Sequence, residues 1–247
     1  MGAQHVRRYS LVALVTGALL GGWLSLRAAS DGSQVGAQIV AQGTSKGAIA
    51  CARCHGFDGA ADGSGAFPAL AGQTAYYLSR QLHQYASGQR RNPIMESIAK
   101  GLSPAEMDAV ALYYAKTNPP SIQRRATSPE LVERGKLLAL TGDASARVQD
   151  CVSCHGPNGE GEPPTIPYLA GQYKHYIQVQ LLMFNKGYRT SEQMARVAHQ
   201  MPEQQIEAIA AYFDQLPRPA NSSTEEQIWN NQPTPKSLSQ STAQKRK

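Results

Sequence analysis

The chain has 247 residues, enough for one or two domains, and its 41% hydrophobic content can fill a core. That composition excludes fibrous, collagen-like and wholly disordered classes. The formal net charge of +6 sits at the two ends: residues 1–30 carry three arginines and no acid, 218–247 carry five bases against two acids, and 31–217 hold 16 of each. A folded body without basic excess excludes nucleic acid as a partner.

In chain order, Arg7 and Arg8 precede a mostly apolar run from Leu11 to Leu26, and Ala28, Ala29 and Ser30 supply small residues for cleavage. Residues 1–30 therefore read as a signal peptide or an N-terminal anchor. The run is shorter than the ~20 residues of a typical membrane span. Either outcome puts the rest of the chain outside the cytoplasm. A weak helical pattern covers Val35 to Ala41. Thr74 is placed to cap a helix running to Gly88, with Tyr77, Leu78, Leu82 and Tyr85 along one face. Ser103-Pro-Ala-Glu106 has the form of a capping box, ahead of Met107, Val110, Ala111 and Tyr114 at helical spacing. Asn118-Pro119-Pro120 opens a linker over 119–127. Another helix is predicted over 129–140. A last one follows Met201-Pro-Glu-Gln204, where the capping hydroxyl is missing but Ile206, Ile209, Ala210 and Phe213 keep the apolar stripe. Residues 218–247 turn to Ser, Thr, Gln, Asn and Pro and read as a disordered tail. No alternating strand pattern occurs, so the predicted fold is all-α.

The chain repeats itself. Cys51-Ala-Arg-Cys54-His55-Gly56 returns as Cys151-Val-Ser-Cys154-His155-Gly156, at an offset of 100 residues. Pro68-Ala-Leu-Ala-Gly-Gln73 returns as Pro167-Tyr-Leu-Ala-Gly-Gln172, at an offset of 99 that then holds. Tyr77 matches Tyr176, Gln81 matches Gln180, and Arg90 matches Arg189. Two homologous units follow, 31–118 and 128–217, each helical.

Cys-x-x-Cys-His is the attachment signature of c-type haem. Two thiols on one turn can add to the vinyl groups of the porphyrin, and the following imidazole then sits under the iron. The two motifs use all four cysteines of the chain. A shared four-cysteine zinc site would not need a histidine and a helical unit for each pair, and a thioredoxin-like site would need a βαβ context. The cofactors read from the motifs are thus two covalently bound haem c groups, with His55 and His155 as proximal iron ligands.

The repeat also selects the other axial ligand. Met107 matches Ile206, Met201 matches Leu102, and Met183 matches Gln84, whereas Met95 has Met194 at the same offset. His83, His175 and His199 match Leu182, Tyr76 and Lys100. Met95 and Met194 are the expected distal ligands. A thioether there raises the haem potential and closes the sixth position, which suits electron transfer rather than catalysis. Pro68 and Pro167 are expected to accept from the free imidazole N–H of each histidine. Arg90, Arg189, Tyr77 and Tyr176 are candidates to hold the haem propionates.

With both Cys-x-x-Cys-His-Gly motifs, both Leu-Ala-Gly-Gln segments, Met95 and Met194, the chain resembles the dihaem cytochromes of the c4 type over about residues 45–217. The resemblance implies two cytochrome c domains facing each other, both haems ligated by His and Met, and electron transfer in the periplasm. Its implied partners are redox proteins: a quinol-oxidising complex or periplasmic dehydrogenase as donor, and an acceptor such as a terminal oxidase. A dedicated electron-transfer subunit of a larger oxidoreductase is the alternative, and a catalytic dihaem enzyme is the least favoured reading. The basic tail departs from the family pattern. A retained leader would tether the protein to the membrane.

Overall fold

The computed structural model describes residues 32–121 and 124–219. The leader over 1–30 and the tail beyond Pro219 lie outside the described residues. The first half contains α1 (Gly32–Gln42), α2 (Ala52–His55), α3 (Ala75–Ala86), α4 (Pro93–Lys100) and α5 (Pro104–Lys116). The second repeats the order with α6 (Pro129–Thr141), α7 (Val152–His155), α8 (Lys174–Asn185), α9 (Glu192–Ala198) and α10 (Glu203–Gln215). Among the described residues the remaining regular pairing is three isolated backbone bridges, so the fold is all-α. No described helix is long and apolar enough to cross a membrane.

Each half closes around its last helix. In domain 1, α5 packs on α1 and α3, and α4 lies on α3; in domain 2, α10 packs on α6 and α8, and α9 lies on α8. The stripes foreseen from spacing are the cores: Met107, Val110, Ala111 and Tyr114 are buried in one, Ile206, Ile209, Ala210 and Phe213 in the other. Thr74 caps α3, accepting from Tyr77 N–H. Ser103 and Glu106 form the complete capping box of α5. The equivalent α10 starts at Pro202 with no side-chain cap, as the lost hydroxyl requires.

Three features differ from the pattern read in the sequence. First, α4 and α9 are helices of their own. They are short and begin at Asn92 and Ser191, whose side chains accept from the first-turn N–H groups. Second, α1 and α6 approach the last helix of their domain through a glycine. A Cβ on Gly36 would lie 2.2 Å from the Ala109 carbonyl oxygen, and one on Gly135 would lie 1.9 Å from that of Ala208. Third, Arg218, the first residue of the expected tail, is anchored. Its Nε donates to the Gly171 carbonyl at 3.0 Å, and its guanidinium stacks on the Tyr173 ring.

The glycine crossings give a direct prediction. Gly135→Ala forces α6 away from α10 and is expected to cost about 1–3 kcal/mol. Thermal unfolding of the holoprotein followed by circular dichroism checks this: a melting temperature equal to wild type would contradict the close approach.

Candidate functional site

The two Cys-x-x-Cys-His segments fold identically. Each forms a single helical turn, α2 or α7, opened by its first cysteine and ending at the histidine. Gly56 (φ 73°) and Gly156 (φ 80°) then reverse the chain in a conformation that L side chains avoid. The loop that follows brings a proline carbonyl under each imidazole. His55 Nδ1 lies 3.1 Å from the Pro68 carbonyl oxygen, and His155 Nδ1 lies 2.8 Å from that of Pro167. A carbonyl only accepts, so Nδ1 carries the proton and Nε2 keeps its lone pair. Burial lowers both histidine pKa values and outweighs the opposing effect of the carbonyls, so both rings are neutral bases. Burial also pushes the Cys51 thiol up to about 11 and the Cys151 thiol up to about 12. Among the described residues no three His, Cys, Asp or Glu side chains gather as a metal cluster.

Met95 and Met194 sit in the first turns of α4 and α9, fixed there by Asn92 and Ser191. Each packs half-buried against the core of its own domain. Both line one cavity of about 1100 Å³, as do Cys51, Cys54, His55, Cys151, Cys154 and His155. His83, His175 and His199 line none of it. The cavity runs without a break from one domain to the other. Its middle is walled by Tyr77, Gln81, Arg90, Tyr176, Gln180 and Arg189.

That middle section is the domain interface, and it is built on polar groups. Gln172 donates to the Ala69 carbonyl at 2.9 Å and accepts from the Ala69 N–H at 3.0 Å. Gln73 makes the reciprocal pair with Tyr168, both at 3.2 Å. Each glutamine therefore pairs with the backbone of one residue of the opposite domain, as an added strand would. Tyr168 and Tyr173 reach the Ala71 and Ala60 carbonyls of domain 1, and Thr74 reaches the Pro164 carbonyl of domain 2. The sequence marked the Leu-Ala-Gly-Gln segments as repeats without assigning the glutamines a role. The available signal was a pair of amides held in register in an otherwise apolar segment.

The four residues expected at the propionates are brought together here. Arg90 and Arg189 are buried and pair backbone to backbone across the interface. Arg90 donates to Tyr176, and Arg189 donates to Tyr77, so each hydroxyl serves the arginine of the opposite domain. Neither arginine forms a salt bridge among the described residues.

The donor set fits two covalent haems. The cavity exceeds the ~300–1,000 Å³ of single small-molecule pockets. Its ends offer two thiols, a neutral imidazole and a thioether each, and its centre offers guanidinium groups for the acidic side chains of a porphyrin.

Comparison with known proteins agrees. The sequence profile described as "Cytochrome c" matches residues 34–117 and again 132–217. The chain belongs to the cytochrome c family.

With two such domains, this cytochrome carries two covalently bound haem c groups. It is 38% identical over 194 residues to the thiosulfate dehydrogenase electron acceptor of Stutzerimonas stutzeri, covering 77% of this chain and 88% of that protein. It is 32% identical to cytochrome c4 of Pseudomonas aeruginosa, over 71% of this chain and 88% of the relative. Among solved structures, a thiosulfate dehydrogenase (TsdBA) from Marichromatium purpuratum superposes with a TM-score of 0.69 at 36% identity, covering 75% of this chain and 40% of that longer one. The cytochrome c4 of Acidithiobacillus ferrooxidans gives 0.62 at 32% identity, over 67% and 98%. This cytochrome is accordingly a dihaem, c4-like electron carrier.

The two ends of its cavity differ in chemistry. In domain 1 the exposed residues Ile49 and Ile94 line the mouth. At the matching positions domain 2 has Gln149 and Gln193, and Arg147, Asp150, Glu192 and Arg196 join them. The repeat thus offers one apolar mouth and one charged mouth within a single chain.

The interface makes a second prediction. Gln172→Leu leaves the Ala69 N–H and carbonyl unpaired in a buried contact, a loss of about 1–3 kcal/mol for each such group. Proteolytic cleavage in the 119–127 linker is expected to rise several-fold. Unchanged resistance would contradict the role of the glutamine pair.

Proposed function

We propose that this cytochrome works in the periplasm as a relay, taking electrons from a sulfur-compound dehydrogenase and handing them to a respiratory acceptor such as a terminal oxidase. The observation that carries this is the unbroken cavity joining two matched sites through one interface. Two curated relatives, at 38% and 34% identity, are named as electron acceptors of thiosulfate dehydrogenase, which favours thiosulfate oxidation as the source. The N-terminal leader supports the location, whether it is cleaved or kept as a tether. The unlike mouths support two different partners. An apolar mouth docks by desolvation, and a charged one by salt-dependent attraction.

Each haem supplies a one-electron couple. The residues that hold it are assigned as follows. Cys51 and Cys54 bind it covalently in domain 1, and Cys151 and Cys154 do so in domain 2. His55 and His155 are the proximal ligands, oriented by Pro68 and Pro167. Met95 and Met194 would supply the second protein ligand to each iron and so keep water and substrates off it. The half-buried thioethers and apolar walls hold the potential up by excluding solvent. Arg90, Arg189, Tyr77 and Tyr176 hold the propionates.

Mixing the oxidised protein with a purified thiosulfate dehydrogenase and thiosulfate tests the donor. Rapid reduction of both haems is expected. Reduction by a quinol-oxidising complex but not by the dehydrogenase would overturn the assignment. For the ligands, Met95→Ala is expected to halve the weak long-wavelength band of ferric methionine ligation, and Met95→Ala with Met194→Ala to abolish it. A band at full strength in either variant would exclude the altered residue as a ligand.

A further inference from the structure

Around the two Cys-x-x-Cys-His turns the repeat is broken at several residues, and the differences act in one direction. Asp150 stands directly before Cys151, where domain 1 has Ala50 before Cys51. Asp150 is half-buried on the wall of the cavity. Its Oδ1 accepts from the Ser153 N–H at 2.8 Å, which ties the carboxylate to the turn that carries the thiols. It takes part in no ion pair among the described residues. Burial and then the Asp150 carboxylate raise the Cys151 thiol, so the charge is felt at the sulfur itself; the Cys51 thiol is raised by burial and by Cys54.

Three further differences accompany that carboxylate. The Pro167 carbonyl lies 2.8 Å from His155 Nδ1, against 3.1 Å between Pro68 and His55. Gln149 and Gln193 stand at the mouth of domain 2 where domain 1 has Ile49 and Ile94. Cys154 is exposed, whereas Cys54 is half-buried. The other charges do not offset Asp150. Arg196 pairs with Glu192 at 3.0 Å, and Arg147 is exposed, where solvent screens it. Arg80, Arg90 and Arg189 all bond across the domain interface and are common to both ends of the cavity. Among the described residues no acid lines the domain 1 end.

Reduction adds one electron to a haem. A carboxylate beside the point of attachment repels that electron. Water and polar side chains favour the more highly charged ferric form over the ferrous one. A shorter hydrogen bond from the proximal imidazole raises its basicity and favours ferric iron again. We propose that these residues, Asp150 first among them, give the haem of domain 2 the lower midpoint potential, so that the electron step inside the molecule runs downhill from domain 2 to domain 1. One electron passes from ferrous to ferric iron, no bond forms or breaks, and no proton moves. The charged mouth is then the entrance and the apolar mouth the exit. The inference rests on the haem assignment and the relay reading made above.

The test is a potentiometric titration of the full-length holoprotein with no donor enzyme present. Wild type is expected to give two separate one-electron waves. Asp150→Asn removes the charge and keeps an oxygen for the Ser153 N–H. It is expected to raise the lower wave and leave the upper one in place, narrowing the gap. Ala50→Asp puts the same charge on domain 1 and is expected to lower the upper wave, which also narrows the gap. It decides the matter alone if Asp150→Asn does not accumulate. Coincident waves in wild type, a rise of the upper wave in Asp150→Asn, a fall of the lower wave in Ala50→Asp, or the absence of any shift would overturn the order. Because the donor is left out, such a result leaves the thiosulfate dehydrogenase assignment standing. Conversely, a dehydrogenase that fails to reduce the protein leaves the order of the potentials standing.

Discussion

Two buried guanidinium groups without a carboxylate set the terms for the rest of the molecule. The effective penalty for burying an ion is about several kcal/mol after relaxation. Here Gln81, Gln180, Tyr77 and Tyr176 return part of that penalty as hydrogen bonds. The same side chains thus form the interface and wall the middle of the cavity. This explains why the contact between the domains is built on amide and hydroxyl groups rather than on an apolar seam.

Around that centre each domain repeats one construction. A helical turn carries the thiols and the imidazole, a proline carbonyl fixes the ring, and a capped helix presents the thioether. The glycines at 36 and 135 let the first helix press against the last and close the domain. The repeat breaks at the mouths, where Ile49 and Ile94 give way to Gln149 and Gln193, and at the start of the last helix, where Ser103 gives way to Pro202. The duplication preserves the Cys-x-x-Cys-His turns, the proline carbonyls and the methionines.

Much of this was legible in the sequence because the chain contains its own comparison. The offset of 99 residues singled out Met95 and Met194, and both line the cavity that holds the two histidines. The same offset flagged Pro68 and Pro167, whose carbonyls lie under the imidazoles. The helices α4 and α9 were missed because their apolar pattern is too short to register, although Asn92 and Ser191 were capping signals in plain view. The repeat showed that Gln81, Gln180, Arg90 and Arg189 match. It could not show that each pair crosses the interface, since a repeat reports equivalence between the halves and not contact. The close approach at Gly36 and Gly135 was hidden for the same reason.

The most direct measurement is a haem count by mass of the purified chain, combined with electron paramagnetic resonance of its fully oxidised form. The account predicts two covalent haems per chain, both low-spin. One haem per chain, or a high-spin signal of full strength from either iron, would contradict it.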